Sequence, residues 1–146
     1  MINDNLKLRG DVALVLKDKD GNIKESREIN NLVVTAGLTF ICARMAAASA
    51  NVMSHMALGS STTAPSAGQT DLVSILGSRE ALDSTSASAN TITYVSSFEA
   101  GEGTGAVTEA GIFNAASSGT MLCRTVFAVV NKQADDTMSV TWTITL

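Results

Sequence analysis

The chain is poor in most of what nucleic-acid binding, metal chemistry or membrane insertion requires. It has no basic excess. With 10 Lys and Arg against 14 Asp and Glu, the net charge is −4, and no basic stripe is available to displace counterions from a phosphate backbone. Its two cysteines, Cys42 and Cys123, form no Cys-x-x-Cys pair and cannot build a zinc site. Two free thiols and a single disulfide both stay open. No apolar run approaches the ~20 residues of a membrane-spanning helix, and residues 1–10 are polar and charged where a secretory signal would be apolar. Gly-Lys-Ser and Gly-Lys-Thr are absent. Aromatics make up only 4%, so the core is aliphatic and no aromatic sugar platform is expected. The single proline, Pro65, lies in the Ser/Thr/Ala run 60–70, which reads as a loop.

Charge is also scarce over most of the length. Residues 1–28 hold six basic and six acidic residues, leaving only twelve charges for the other 118 positions. Those positions carry 31 of the 32 Ser and Thr. Self-solubilising monomers use far more Lys and Glu. The expectation is a homo-oligomer, a trimer foremost, whose Ser, Thr, Ala and Gly surface meets neighbours closely.

What is present is β-patterning. Residues 137–146 alternate without error, Met138, Val140, Trp142, Ile144 and Leu146 against Thr137, Ser139, Thr141, Thr143 and Thr145. A period of two puts the apolar set on one face of a strand and the hydroxyls on the other. Trp142 is expected at the centre of the core, its indole N–H satisfied by a backbone carbonyl or water. Further strands are predicted over 11–17 and 22–29 around the turn Asp18-Lys19-Asp20-Gly21, then over 52–59, 79–85, 91–98, 106–113 and 121–130. Residues 84–90 read as a polar loop, and 71–76 as either a helical turn or a strand. Thr35 is a candidate N-cap for one main helix over about 36–48, with Leu38, Ile41, Cys42 and Met45 facing the core at i, i+3, i+4 and i+7. The predicted fold is mainly β: an antiparallel β-sandwich or barrel-like domain over 9–146, preceded by a flexible N-terminal arm, 1–8.

Candidate chemistry is thin. Asp18 to Gly21 lacks the further carboxylates of a calcium loop. Gly101, Gly103 and Gly105 precede a strand, not the helix a phosphate loop requires. His55 could pair with Ser54 or Asp71, but no nucleophile elbow accompanies it; a hydrogen-bonded structural or interface histidine is the simpler reading. Glu99 and Glu102 flank the glycine loop and read as solvated. Glu109, inside a strand, would need a partner if buried, and Arg124 is the candidate. No catalytic, cofactor-binding or metal-ligating residues are expected, no cofactor, and no enzymatic activity.

Several segments taken together carry a resemblance: Asn31 to Leu38, Ser54-His-Met-Ala-Leu-Gly-Ser60, Ile92 to Phe98, Gly105-Ala-Val-Thr-Glu-Ala-Gly-Ile-Phe-Asn114, Gly119 to Phe127, and Thr141-Trp142-Thr143. Over roughly 10–146 the chain resembles small virion structural proteins of tailed bacteriophages, of the capsid decoration or cement type. Its central part is also similar to N-terminal domains of phage tail-fibre and baseplate proteins. The resemblance implies a compact β-sandwich used for assembly, made in the bacterial cytoplasm and carried on the capsid surface. Its partner would be the major capsid protein, gripped by the charged N-terminal segment, with no nucleic acid or membrane involved. An ending at Leu146, without fibre shaft or receptor-binding tip, favours decoration over the alternative, a tail-fibre or baseplate adaptor.

Overall fold

The terminal strand reads true and is an interior strand of the sheet, paired on both sides. The structure, a computed structural model, describes residues 7–46 and 50–146. Most of the expected arm and the last positions expected of the helix therefore lie outside the described residues, while Leu8 already packs against the core. In chain order the elements are β1 (Arg9–Lys17), β2 (Ile23–Val33), α1 (Thr35–Ala46), β3 (His55–Gly59), β4 (Glu80–Ala81), β5 (Ser84–Ser88), β6 (Thr91–Phe98), β7 (Gly105–Phe113), β8 (Met121–Lys132) and β9 (Thr137–Thr145).

The strands form one antiparallel sheet in the order β4-β3-β7-β8-β2-β1-β9-β6-β5. The sheet curls into a half-barrel. Strand β2 makes the bend: most of its length pairs with β1, while Leu32 and Val33 pair with Arg124 and Cys123 of β8. The two ends of the order are consecutive in sequence. After Ala81 the chain crosses from β3 towards β6, with Leu82 N donating to Ser54 O and Asp83 N to Val95 O.

Across the inner face, Met138, Val140, Trp142 and Ile144 of β9 register with Leu16, Leu14, Val12 and Gly10 of β1. All four are buried. On the other side Trp142 lies opposite Tyr94 of β6. Its indole Nε1–H donates to the side-chain Oδ1 of Asn31 at 3.1 Å, not to a backbone carbonyl or water. The turn before β2 holds as read: Asp18 Oδ1 accepts from the Asp20 and Asn22 amides. The Asn22 amide chiefly draws that carboxyl below its ordinary value.

Four local expectations are corrected. Of the four helix residues expected in the core, only Ile41 packs there, and Cys42 is exposed. Leu38 is 47% and Met45 83% exposed, whereas Gly37 is buried and Phe40 and Ile41 pack on the core. Gly37 decides this: a Cβ there would strike the carbonyl of Leu122, so α1 approaches β8 along its glycine. Thr35 is not the cap; the first intrahelical bond runs from Leu38 N to Val34 O, which puts the cap position at Val34. Residues 84–88 are a strand, not a loop, fully paired with β6. The predicted strand 79–85 shrinks to Glu80–Ala81 because the chain changes partner at Leu82 and Asp83. Elsewhere only extents differ: β3 begins at His55 rather than at 52, and β1, β2 and β8 run two to four residues beyond their predicted ends. Residues 71–76 are neither a helical turn nor a full strand. They touch β3 through a bridge of Gly59 to Ile75 and bonds from Ser60 N to Ser74 O and Leu76 N to Leu58 O.

Candidate functional site

The outer face of β9, β6 and β5 is the most unusual surface of the molecule. Residues directly opposite in an antiparallel ladder point the same way, so the pairing fixes its composition. Thr137, Ser139, Thr141, Thr143 and Thr145 of β9 face outward. Beside them stand Thr91, Thr93, Val95 and Ser97 of β6, then Ser84, Ser86 and Ser88 of β5. Eleven of the twelve are hydroxyl residues and none is charged. Charge returns at its margins: on β1, where Arg9, Asp11 and Lys17 register with Thr145, Thr143 and Thr137, and at Asp83, whose carboxylate accepts from Ser97 Oγ at 2.7 Å. The β9 contribution was legible from its alternation. The β5 contribution was missed, because Ser84 to Ser88 shows no apolar periodicity and pairs only through tertiary structure.

This face runs out to an edge. All five residues of β5 are exposed, and the strand ends the sheet order. Soluble proteins commonly guard such edges with charge, proline or a bulge. Ser-Thr-Ser-Ala-Ser has neither charge nor proline, and its register with β6 runs without a bulge. A face of small uncharged side chains ending in an edge strand without charge, proline or bulge is suited to lying against another protein.

On the opposite half of the sheet, the predicted pair of Glu109 and Arg124 is formed. Both side chains are completely buried, with Arg124 Nη2 2.7 Å from Glu109 Oε2. The hydrogen bond to that oxygen comes from Nε at 2.9 Å. Nη2 lies close to the same oxygen without hydrogen-bonding alignment, so its contact is ionic. The pair also fastens the segment 60–76. Glu109 accepts from the amides of Ser61, Val73 and Ser74, the last at 2.7 Å. Arg124 Nη1 donates to Thr63 O and Gln69 Oε1. Gly59 makes this reach available, since a Cβ there would overlap the Glu109 side chain. Held this way, Val73 and Ile75 are 53% and 45% exposed.

The other candidates do not converge. Ser54 Oγ lies 2.8 Å from His55 Nδ1, but Asp71 is engaged with Arg79, whose guanidinium stacks 3.6 Å over the Phe113 ring. Glu102 accepts from the Glu99 amide, closing its own glycine loop, and β7 follows that loop. Lys132, missed in the sequence, is buried. Its ammonium donates to the carbonyls of Glu99 and Asp136, and burial holds its pKa below the usual value. Cys42 is exposed and Cys123 buried, both free; burial pushes the Cys123 thiol up to about 12. Among the described residues no group of three or more His, Cys, Asp or Glu could hold a metal ion, and no helix is long and apolar enough to cross a membrane.

No protein-family model, curated protein or solved structure matches the chain.

Proposed function

We propose that the chain is a structural protein of a tailed-phage virion, specifically a capsid decoration protein that stabilises the head by bridging neighbouring major capsid subunits. In this reading it works as a homo-oligomer, a trimer foremost, on the capsid surface, and catalyses nothing. The observation that carries the reading is the neutral hydroxyl face of β9, β6 and β5 with its unguarded edge. Small hydroxyl side chains lose little rotamer entropy on burial and leave the backbone accessible to a partner. Binding to a shell adds stability by mass action as well as by contact area. The sequence resemblance supplies the virion context.

The test is a charge placed on that face. Ser86→Glu, exposed on the outer side of β5 opposite Thr93, should leave folding within about 0.5 kcal/mol of wild type, as for an exposed substitution. It should weaken assembly and capsid binding by roughly tenfold or more, because a buried unpaired carboxylate costs several kcal/mol. Wild-type binding by Ser86→Glu would remove the face from the interface. The second reading, a tail-fibre or baseplate adaptor, draws on the similarity of 54–60 and 105–114 to such proteins; these segments supply β3 and β7, which pair with each other.

A further inference from the structure

The two rims of the sheet are finished differently. Along β3 the backbone is covered: Met56 and His55 pair with Glu80 and Ala81, Gly59 bridges Ile75, and Leu76 N donates to Leu58 O. The short β4 is itself engaged, its Ala81 O accepting from Ser96 Oγ at 3.2 Å. At the other rim β5 stands last in the sheet order and is exposed along its whole length.

The ladder fixes which of its backbone groups point outward. Leu146 N donates to Asn90 O, in step with Thr91 opposite Thr145. Ile92, Tyr94 and Ser96 therefore turn their backbone groups towards β9, while Thr91, Thr93 and Val95 turn theirs towards β5. Val95 O accordingly accepts from Asp83 N. Ser88, Ser86 and Ser84 lie opposite those three residues and are engaged by β6. Thr85 and Ala87 are left presenting N–H and C=O outward. Such an edge is a template for a further strand, so it specifies the chemistry of its occupant: an extended backbone.

The spacing points to whose backbone it is. Laid antiparallel on a second β5 and centred on Ser86, Thr85 falls opposite Ala87 of the second copy, and Ala87 opposite its Thr85. These are hydrogen-bonded positions, and none of the outward N–H and C=O groups is left unpaired. Ser86 meets its own counterpart at the centre and Ser84 meets Ser88, all small and uncharged. The two Asp83 carboxylates fall at opposite ends, about 20 Å apart at ~3.3 Å per strand position.

We infer that β5 pairs with β5 of a second copy about a two-fold axis at Ser86, joining two sheets into one. The inference rests on the proposed function only in taking this edge as an interface. An isologous contact closes at two chains, so a three-fold assembly would be made through other surfaces, with β5 linking one assembly to the next.

The test is sedimentation velocity of the full chain up to about 1 mM, since a contact under ~1,200 Å² belongs to the weak class. Wild type is expected as a reversible dimer. Ala87→Pro removes an outward N–H and leaves the bonds to β6 alone, a placement that edge strands tolerate. By symmetry it deletes two hydrogen bonds and should weaken the dimer roughly tenfold or more, with the circular dichroism and thermal midpoint of wild type. Ser86→Lys and Ser86→Glu each set like charges face to face and should be monomeric. Mixed in equal amounts they should dimerise again, because opposite charges then meet at the axis. A monomeric wild type overturns the inference, as does an oligomer that a folded Ala87→Pro leaves intact. A mixture of Ser86→Lys and Ser86→Glu that stays monomeric overturns it whether or not Ala87→Pro folds. A monomeric wild type that binds capsids, with binding lost in Ala87→Pro, overturns it too, but assigns the edge to a capsid strand and leaves the proposed function standing. A wild-type dimer whose capsid binding Ser86→Glu does not change supports the pairing and removes the proposed capsid face.

Discussion

Replacing Glu109 with Gln should unfold the protein far more easily than a change of one atom suggests. The carboxylate and Arg124 are both completely buried, so the neutral amide leaves a guanidinium in the interior without its counter-charge. Breaking one side of a buried pair costs about 3–5 kcal/mol. That is a large share of the ~5–15 kcal/mol that holds a domain together. The amides of Ser61, Val73 and Ser74 would in addition face a side chain with one acceptor instead of two. Chemical denaturation of Glu109→Gln against wild type measures the cost directly. A second variant separates the pair's net worth from its role. Glu109→Leu with Arg124→Met removes both charges, and its global stability should return to within about 1 kcal/mol of wild type or exceed it. The segment 60–76 should nevertheless loosen, since its three amides lose their acceptor. Native-state hydrogen exchange at Val73 and Ser74 reads this as lost protection. A cost below about 1 kcal/mol for Glu109→Gln would refute the reasoning. So would full protection at Val73 and Ser74 in the double variant.

Two further predictions concern the barrel itself. Trp142→Ala should lower stability by about 3–5 kcal/mol through lost transfer and a residual cavity, and it frees the Asn31 Oδ1 that the indole now satisfies; a loss under about 1 kcal/mol in urea would contradict its central position. Asp136 should make the domain acid-sensitive. Its carboxyl is held below 3.8, first by the Lys24 ammonium at 2.7 Å and then by the Gln133 amide. The unfolded chain therefore takes up the proton first as pH falls, and the stabilisation, complete above the unfolded value, is lost as pH drops through the folded one. Thermal midpoints of Asp136→Asn should accordingly fall less steeply than those of wild type below pH about 3.8; parallel profiles would contradict the assignment.

Strands whose two faces differ in chemistry could be read from the chain. Met138 to Ile144 against the hydroxyls, and Tyr94, Ser96 and Phe98 against Thr93, Val95 and Ser97, announce their inner and outer faces by alternation. Glu109 with Arg124 was legible for a related reason: a carboxylate in an apolar strand requires a cation, and few cations exist. The helix was visible, but its buried face was not. Counting large apolar residues selects Leu38 and Met45, whereas packing is decided by Gly37, which has no side chain to count. Strand β5 lacks any apolar signal and owes its conformation to pairing with β6. Lys132 at the end of β8 reads as a solvated charge. Only the fold brings the carbonyls of Glu99 and Asp136 around its ammonium.

The central claim, a decoration protein spread over a capsid, is tested most directly by copy number. Quantitative mass spectrometry of purified particles, with the major capsid protein as internal standard, counts the chain per virion. The account predicts hundreds of copies in a fixed ratio to the capsid protein. A handful per particle, confined to one vertex or the tail end, would contradict it.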